Sequence, residues 1–144
     1  MVRLTDSGTT AAMANIVTEP FDRILPKVTD RNRHFWHGGA GGRLYLLRCA
    51  ACGFYLHPPQ PVCPRCRSMS VAPEPVSGRG RGYSFTINHY RWVPGFDPPY
   101  VVASVELAEQ AGVRLLTNLV GCPDADLRCD LEVEVLFAKH ADVY

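Results

Sequence analysis

Four cysteines stand as two Cys-x-x-Cys pairs in "RCAACGFYLHPPQPVCPRCRS", residues 48–68. Cys49 and Cys52 form one pair and Cys63 and Cys66 the other, with ten residues between them. Each pair can fold as a tight knuckle with both sulfurs facing one ion. Two knuckles then close a tetrahedron of thiolates with metal–sulfur distances of about 2.3 Å. Gly53 follows the first knuckle, where φ > 0 is often needed, and Pro64 sits inside the second. This is the pattern of a structural zinc ribbon. Four thiolates leave no open coordination position, so such a metal holds a fold and does not activate water or substrate. A thiolate tetrahedron takes zinc or iron, and the spacing leaves that choice open. Two disulfides conflict with a reducing compartment, and a redox dithiol needs one pair in a βαβ setting that is absent here.

Other groups with chemical potential are looser. "GRGRGY" puts Arg79 and Arg81 on one side of an extended strand, suited to phosphate contact or to a charged edge that deters strand pairing. No strand-to-helix turn follows these glycines, which excludes a dinucleotide fingerprint. "HYRWVPGFDPPY" gathers Tyr90, Arg91, Trp92, Phe96 and Tyr100 on a proline-stiffened loop. Trp, Tyr and Arg dominate interface hot spots, and rigid prolines lower the ordering cost of presenting them. Self-packing of the loop is the plainer reading. Phe35 and Trp36 form a second aromatic pair, suited to stapling a helix or to an interface. The five histidines are scattered, with only His89 beside the aromatic loop, and no nucleophile–base pair can be read from spacing. Cys122 and Cys129 read as small buried or half-buried side chains.

The chain has 144 residues, 47% hydrophobic and 20% charged, with a net charge of +1. A packed core is feasible, and the balance is not that of a polyanion binder. No apolar run approaches the roughly 20 residues of a membrane span. "MVRLTDSGTTAAMANIV" makes a poor signal peptide, so a cytoplasmic protein is expected. Arginines outnumber lysines thirteen to two, a bias of GC-rich genomes.

The elements that must position these groups are mostly strands. Residues 1 to about 28 read as a loosely ordered arm with Pro20 and Pro26. Thr29 or Asp30 is placed to cap a short helix carrying Phe35 and Trp36, stopped by Gly38–Gly39. "GRLYLLRC" reads as a strand entering the first knuckle. Pro58, Pro59, Pro61 and Pro64 bar any helix between the pairs. Beyond Val71, "YSFTINHY", "VVASVEL", "VRLLTNLVG" and "LEVEVLF" are four apolar strands, most alternating in polarity. "SVAPEPV" is a weaker opening strand, and five strands suit a small barrel such as the OB-fold. Gly78, Gly80 and Gly82 permit the bend or bulge that closure needs. The domain reading is 1–42 arm and short helix, 43–70 ribbon and 71–144 OB-fold. The fold class is mainly β: a short N-terminal helix, a rubredoxin-like zinc ribbon and a five-stranded OB-fold barrel.

The order of "FW", "GRLYLLRCAACGFYLHPPQPVCPRC", "VSGRGRGYSFTINHY", "PGFDPPYVVASVEL" and "LLTNLVG" resembles a family of acyl-CoA-associated proteins. That family pairs a rubredoxin-like zinc ribbon with an OB-fold and was long catalogued as a domain of unknown function. The resemblance covers about residues 29–140, and the barrel segments make it more specific than the cysteines alone. Arg67 departs from it, standing where the family often has Gly, as does Cys129–Asp130, where a Gly-containing turn is common. The chain stops at "ADVY", where relatives often continue, so a domain cut from a longer polypeptide is expected.

The resemblance implies an accessory role. Family members accompany thiolase-like enzymes, which carry the catalytic residues, and complete the acyl-CoA site. The settings are thiolysis, acetoacetyl-CoA metabolism and retro-aldol cleavage of steroid side-chain CoA esters. In the last, the domain is attached to, or works beside, a MaoC-type hydratase. The expected ligands are therefore one structural Zn2+ on Cys49, Cys52, Cys63 and Cys66, and a shared acyl-CoA whose phosphates would meet Arg79 and Arg81. The partner surface would use Tyr90, Arg91, Trp92, Phe96 and Tyr100, or Phe35 and Trp36. No catalytic residue is assigned. Two other classes compete. A single-stranded nucleic-acid binder would stack bases on Tyr83, Phe85, Tyr90 and Trp92, against the near-neutral charge and the acidic "LEVEV" strand. An electron-transfer rubredoxin fits poorly with the large appended barrel.

Overall fold

The computed structural model describes residues 1–5, 16–18, 24–92 and 97–144, with only the backbone at 16–18. In chain order the elements are β1 (Val2–Leu4), β2 (Ile16–Thr18), α1 (Arg33–His37), β3 (Leu44–Cys49), β4 (Tyr55–Leu56), β5 (Val71–Val76) and β6 (Arg79–Asn88). Then follow β7 (Tyr100–Leu107), β8 (Arg114–Val120), β9 (Glu132–Val135) and β10 (Phe137–Lys139). A closed five-stranded barrel runs β1-β8-β7-β6-β9, and a three-stranded ribbon sheet runs β4-β3-β5. A third pair joins β10 to β2 in parallel. The fold is mainly β with one short helix, as the sequence indicates.

Alternation drives barrel formation. On β7, Val101, Ala103, Val105 and Leu107 are buried while Tyr100, Val102, Ser104 and Glu106 are half-exposed. From this row Val101, Ala103 and Val105 meet Leu119, Val133 and Val2 in one core, and Leu107 joins another with Leu44 and Leu46. Each fully buried aliphatic side chain there contributes about 1.5–3 kcal/mol. The expected irregularity near the glycines is a register shift between Gly82 and Ser84. Gly82 exchanges hydrogen bonds with Leu131 and Asp130 at 2.9 and 2.7 Å, just past the β9 ladder. At Gly80 a Cβ would stand 2.4 Å from the Glu106 carbonyl oxygen, so only glycine allows β6 and β7 this close.

Two strand assignments differ from the sequence reading. "SVAPEPV" does not open the barrel: β5 pairs antiparallel with β3 over six residues and belongs to the ribbon. The fifth barrel strand is instead β1, from within the expected arm, parallel to β8 and antiparallel to β9. A three-residue strand carries no periodicity of its own; its pairing comes from filling the gap between β8 and β9. The helix also begins later than expected. Asn32 is its N-cap, not Thr29 or Asp30, and its side chain turns back to accept from the Thr29 N–H at 2.7 Å. A 3-10 turn over Gly38–Gly41 prolongs it, and the stop is Gly42, in the left-handed region at φ 66°. Pro20, in the expected arm, lies outside the described residues.

The ribbon is tied to the barrel by polar and apolar contacts. Gln110, in the β7–β8 turn, mimics a neighbouring strand: its Oε1 accepts from the Tyr55 N–H at 2.8 Å and its Nε2 donates to the Tyr55 carbonyl at 3.2 Å. Beneath it, Leu44 and Leu46 of β3 share a core with Leu107, Val113 and Phe137. β3 therefore serves the ribbon with one end and the barrel with the other.

Candidate metal centre and barrel surface

The two knuckles are built alike. In the first, the Cys49 carbonyl accepts from the Gly53 N–H at 2.8 Å and the Cys49 N–H donates to Phe54 at 2.9 Å. In the second, the Cys63 carbonyl accepts from the Arg67 N–H at 2.9 Å and the Cys63 N–H donates to Ser68 at 2.9 Å. This repeat brings Cys49, Cys52, Cys63 and Cys66 together, with ligand atoms all within 4.8 Å of one another. The Cys49–Cys66 sulfurs are 3.5 Å apart and the Cys52–Cys63 sulfurs 3.7 Å. Thiolates about 2.3 Å from one tetrahedral ion stand about 3.8 Å from each other, so the quartet fits such an ion. A disulfide needs about 2.05 Å, and all six cysteines are free.

The electrostatics suit a cation. Burial raises the Cys49 thiol, but the Cys52 and Ala51 N–H groups and the neighbouring thiols outweigh it and bring it down to about 6. At Cys66 the Ser68 N–H lowers the thiol, yet hydrogen bonding from Cys52, burial, Cys49 and Cys63 push it up to about 12. Cys49 therefore gives up its proton readily, while Cys66 holds its proton until a cation replaces it. Among the described residues no other group of three or more His, Cys, Asp or Glu side chains could hold a metal.

The departure at Arg67 has a geometric consequence. Arg67 takes the position of Gly53, and both lie in the left-handed region, at φ 60° and 72°. A non-glycine residue pays roughly 1–2 kcal/mol there. Arg67→Gly is therefore expected to stabilise the protein by about 1 kcal/mol, roughly 2–4 °C in melting for a chain of this size. Thermal melting of metal-loaded protein checks it, and an unchanged or lower midpoint counts against the strain.

Charge on the barrel surface is arranged in rows across the strands. Arg3 pairs with Glu134 at 2.9 Å, Arg81 with Glu132 at 2.9 Å, and Arg114 with Glu106 at 3.0 Å, so that Arg81, Glu106 and Arg114 make one charged row across β6, β7 and β8. The Gly112 N–H and Arg114 hold the Glu106 carboxyl below its usual range. Arg79 and Arg81 do point to one side, and the register sets Arg79 opposite Glu134. Beyond that row the same strands change character: Thr86 stands beside Val102 and Val102 beside Asn118. In the next row Ser84 stands beside Ser104 and Ser104 beside Leu116, while Asn88 beside Tyr100 extends the face toward the β6–β7 loop. None of these eight residues is charged.

That loop carries the expected aromatics outward. Tyr90 and Trp92 are 66% and 69% exposed and meet edge to face at 5.1 Å. Arg91 pairs with Asp97. Tyr100 starts β7 at half exposure, and Phe96 lies outside the described residues. Phe35 and Trp36 meet at 5.0 Å and are half-buried. Phe35 packs on the core of Leu44, Leu46 and Phe137, and Trp36 accepts from the Tyr144 N–H at 2.9 Å. Burial lowers the His34 imidazole, and burial and then His34 lower that of His57, so both are neutral near pH 7. His89 is exposed. Cys122 is half-buried against the barrel core, whereas Cys129 is exposed, contrary to the sequence reading. Sequence reasoning missed the charge-free rows entirely, because only strand register assembles them. Among the described residues no helix is long and apolar enough to cross a membrane.

Comparison with known proteins agrees with this architecture. Residues 36–71 match the model of the ChsH2 rubredoxin-like zinc ribbon domain, and residues 73–138 that of the ChsH2 C-terminal OB-fold domain. The chain is 46% identical over 103 residues to a protein of Thermomonospora curvata named "Probable enoyl-CoA hydratase alpha subunit", covering 71% of this chain. It is 32% identical over 124 residues to the 3-oxo-4,17-pregnadiene-20-carboxyl-CoA hydratase alpha subunit of Mycobacterium tuberculosis, covering 86% of this chain. It spans only 32% and 39% of those two relatives' lengths. The benzoylsuccinyl-CoA thiolase subunit BbsA of Thauera aromatica is 33% identical over 113 residues, 76% of each chain. A solved "Ltp2-ChsH2(DUF35) aldolase" chain superposes with a TM-score of 0.69 at 38% identity, over 76% of this chain and 85% of that one. With the four-cysteine ribbon joined to the closed barrel, and relatives matched over most of their own length, the chain belongs to the ChsH2-type family of zinc-ribbon and OB-fold proteins, the DUF35 proteins.

Proposed function

We propose that this chain is a non-catalytic subunit, or subunit domain, of a thiolase-like acyl-CoA enzyme. It docks on the catalytic protein, completes its acyl-CoA site and supports C–C bond cleavage, either retro-aldol cleavage of a steroid side-chain CoA ester or thiolysis. One zinc ion on the cysteine quartet holds the ribbon. The observation that carries the reading is the likeness to a chain of a two-component aldolase, at 38% identity and a TM-score of 0.69. The thiolase subunit BbsA supports the same role on a different acyl-CoA. The two hydratase alpha subunits, about three times as long as the stretch they share with this chain, support a further association with a MaoC-type hydratase. The saturated metal site is consistent with an accessory role.

The test is co-expression with thiolase-like proteins of the same genome, one at a time, followed by purification and assay of each alone and together. Retention of a thiolase-like subunit, with acyl-CoA cleavage only in the complex, is the expected result. Enzyme-like turnover of acyl-CoA by this chain alone would overturn the reading. The nucleic-acid alternative is poorly served by the barrel, whose arginines at positions 3, 81 and 114 are each paired with a glutamate. A true strand binder would lose oligonucleotide affinity steeply with salt.

A further inference from the structure

The outward faces of β6, β7 and β8 are unusual for a barrel in water. Exposed strand faces normally carry Lys, Glu or Arg, and the neighbouring row of these strands does so, as Arg81, Glu106 and Arg114. Here three successive rows hold hydroxyl, amide and apolar side chains alone, centred on Val102 and Ser104. Leu116, in the same row as Ser104, is 82% exposed. Depletion of charge is what marks the buried centre of a protein interface, whose rim is polar. The face also runs without a break into the loop bearing Tyr90 and Trp92, since Asn88 and Tyr100 form its last row.

We infer that these charge-free rows of β6, β7 and β8, together with Tyr90 and Trp92, are the surface that seats the thiolase-like subunit, with the row of Arg81, Glu106 and Arg114 at its rim. The inference rests on the proposed function and specifies how that function is assembled. Size supports the pairing of face and loop. Strands about 4.8 Å apart, rising about 3.4 Å per residue, give three five-residue stretches roughly 250 Å² in projection. A stable interface buries about 800 Å² per partner, so the sheet face can be only its centre. Tyr90 and Trp92 at one end, and at the other the charged row, where the Arg114 guanidinium lies 3.3 Å from the Tyr83 ring centroid, extend it as a rim in the plane of the sheet. The face offers hydroxyls and apolar groups and lacks formal charge. The matching surface on the thiolase-like subunit is correspondingly uncharged, and this contact is expected to be weakly salt-dependent.

The experiment measures association of the full chain with the thiolase-like subunit by calorimetry, with melting and zinc content as folding controls. Ser104→Arg and Leu116→Asp place a charge at the centre of the face on side chains that point outward. Both are expected to melt near wild type and to bind at least tenfold more weakly. Glu132→Gln changes net charge by the same amount as Ser104→Arg, but on β9, outside the charge-free rows, and is expected to bind like wild type. If Ser104→Arg fails to fold, Leu116→Asp alone decides. Wild-type affinity in the face variants overturns the inference while leaving the function standing. So does a wild-type homodimer that the face variants convert to monomers without loss of partner binding, because the face would then seat a second copy. If the wild-type chain binds no thiolase-like subunit at all, the proposed function fails first.

Discussion

Cys63→Ser is expected to strip the metal from the ribbon and lower the melting midpoint by at least about 10 °C. Cys63 is fully buried, in a small core with Leu47, Cys49 and Leu56. The ribbon's own buried cluster is small, so loss of an ion held by the knuckles is expected to loosen them. Apparent zinc affinities in small modules of this kind amount to roughly 10–16 kcal/mol, comparable to the whole stability of a domain. A hydroxyl in place of one thiolate leaves three ligands and an unfilled corner, a loss of at least about 3 kcal/mol. That corresponds to roughly 10 °C in a chain of this length. The damage should spread along β3, whose Leu44 and Leu46 belong to the core shared with the barrel. Elemental analysis and thermal melting check it, with Cys129→Ser as the control, since Cys129 is exposed and outside the quartet. Full zinc occupancy with unchanged melting in Cys63→Ser would sink the assignment.

The metal centre was legible in the sequence because its information is local. A Cys-x-x-Cys pair fixes its own turn, and even the departure at Arg67 is visible as a non-glycine at the place occupied by Gly53 in the first knuckle. The long alternating strands were legible for the same reason: Val101, Ala103, Val105 and Leu107 declare their buried face without reference to any neighbour. What could not be read is set by pairing. Val2–Leu4 has no period, and "VAPEPV" alternates equally well for either sheet; their places follow from which neighbours had unpaired edges. The charge-free face is of this second kind. Ser84, Ser104 and Leu116 lie in three separate segments, each with charged residues nearby in sequence, and become one row only once the register shift after Gly82 sets the β6–β7 pairing.

That register decides where the aromatic loop points and what its loss should do. Trp92→Ala is expected to retain zinc and to melt near wild type, because the indole is 69% exposed and contributes little to the core. Association with the thiolase-like subunit should nonetheless weaken by at least roughly thirtyfold. Truncating a central interface aromatic typically costs about 2 kcal/mol or more, and 1.4 kcal/mol is a factor of ten. Trp92 is well placed for such a role. Its ring leans edge to face on Tyr90 at 5.1 Å, so the pair is held in position before any partner arrives. The neighbouring Arg91 is drawn toward Asp97 across the loop, so the cation beside the indole is ion-paired and sits at the rim of the uncharged rows. Arg81→Ala, in the charged row outside the charge-free ones, should leave association near wild type and so reports on location rather than on arginine content. Trp36→Ala should behave oppositely to Trp92→Ala, losing thermal stability, because the Trp36 ring is half-buried and packs edge to face on Phe35. Calorimetry and melting across the three variants separate the outcomes. Unchanged partner affinity in Trp92→Ala, with a loss in a folded Trp36→Ala variant, would move the docking surface from the barrel end to the helix.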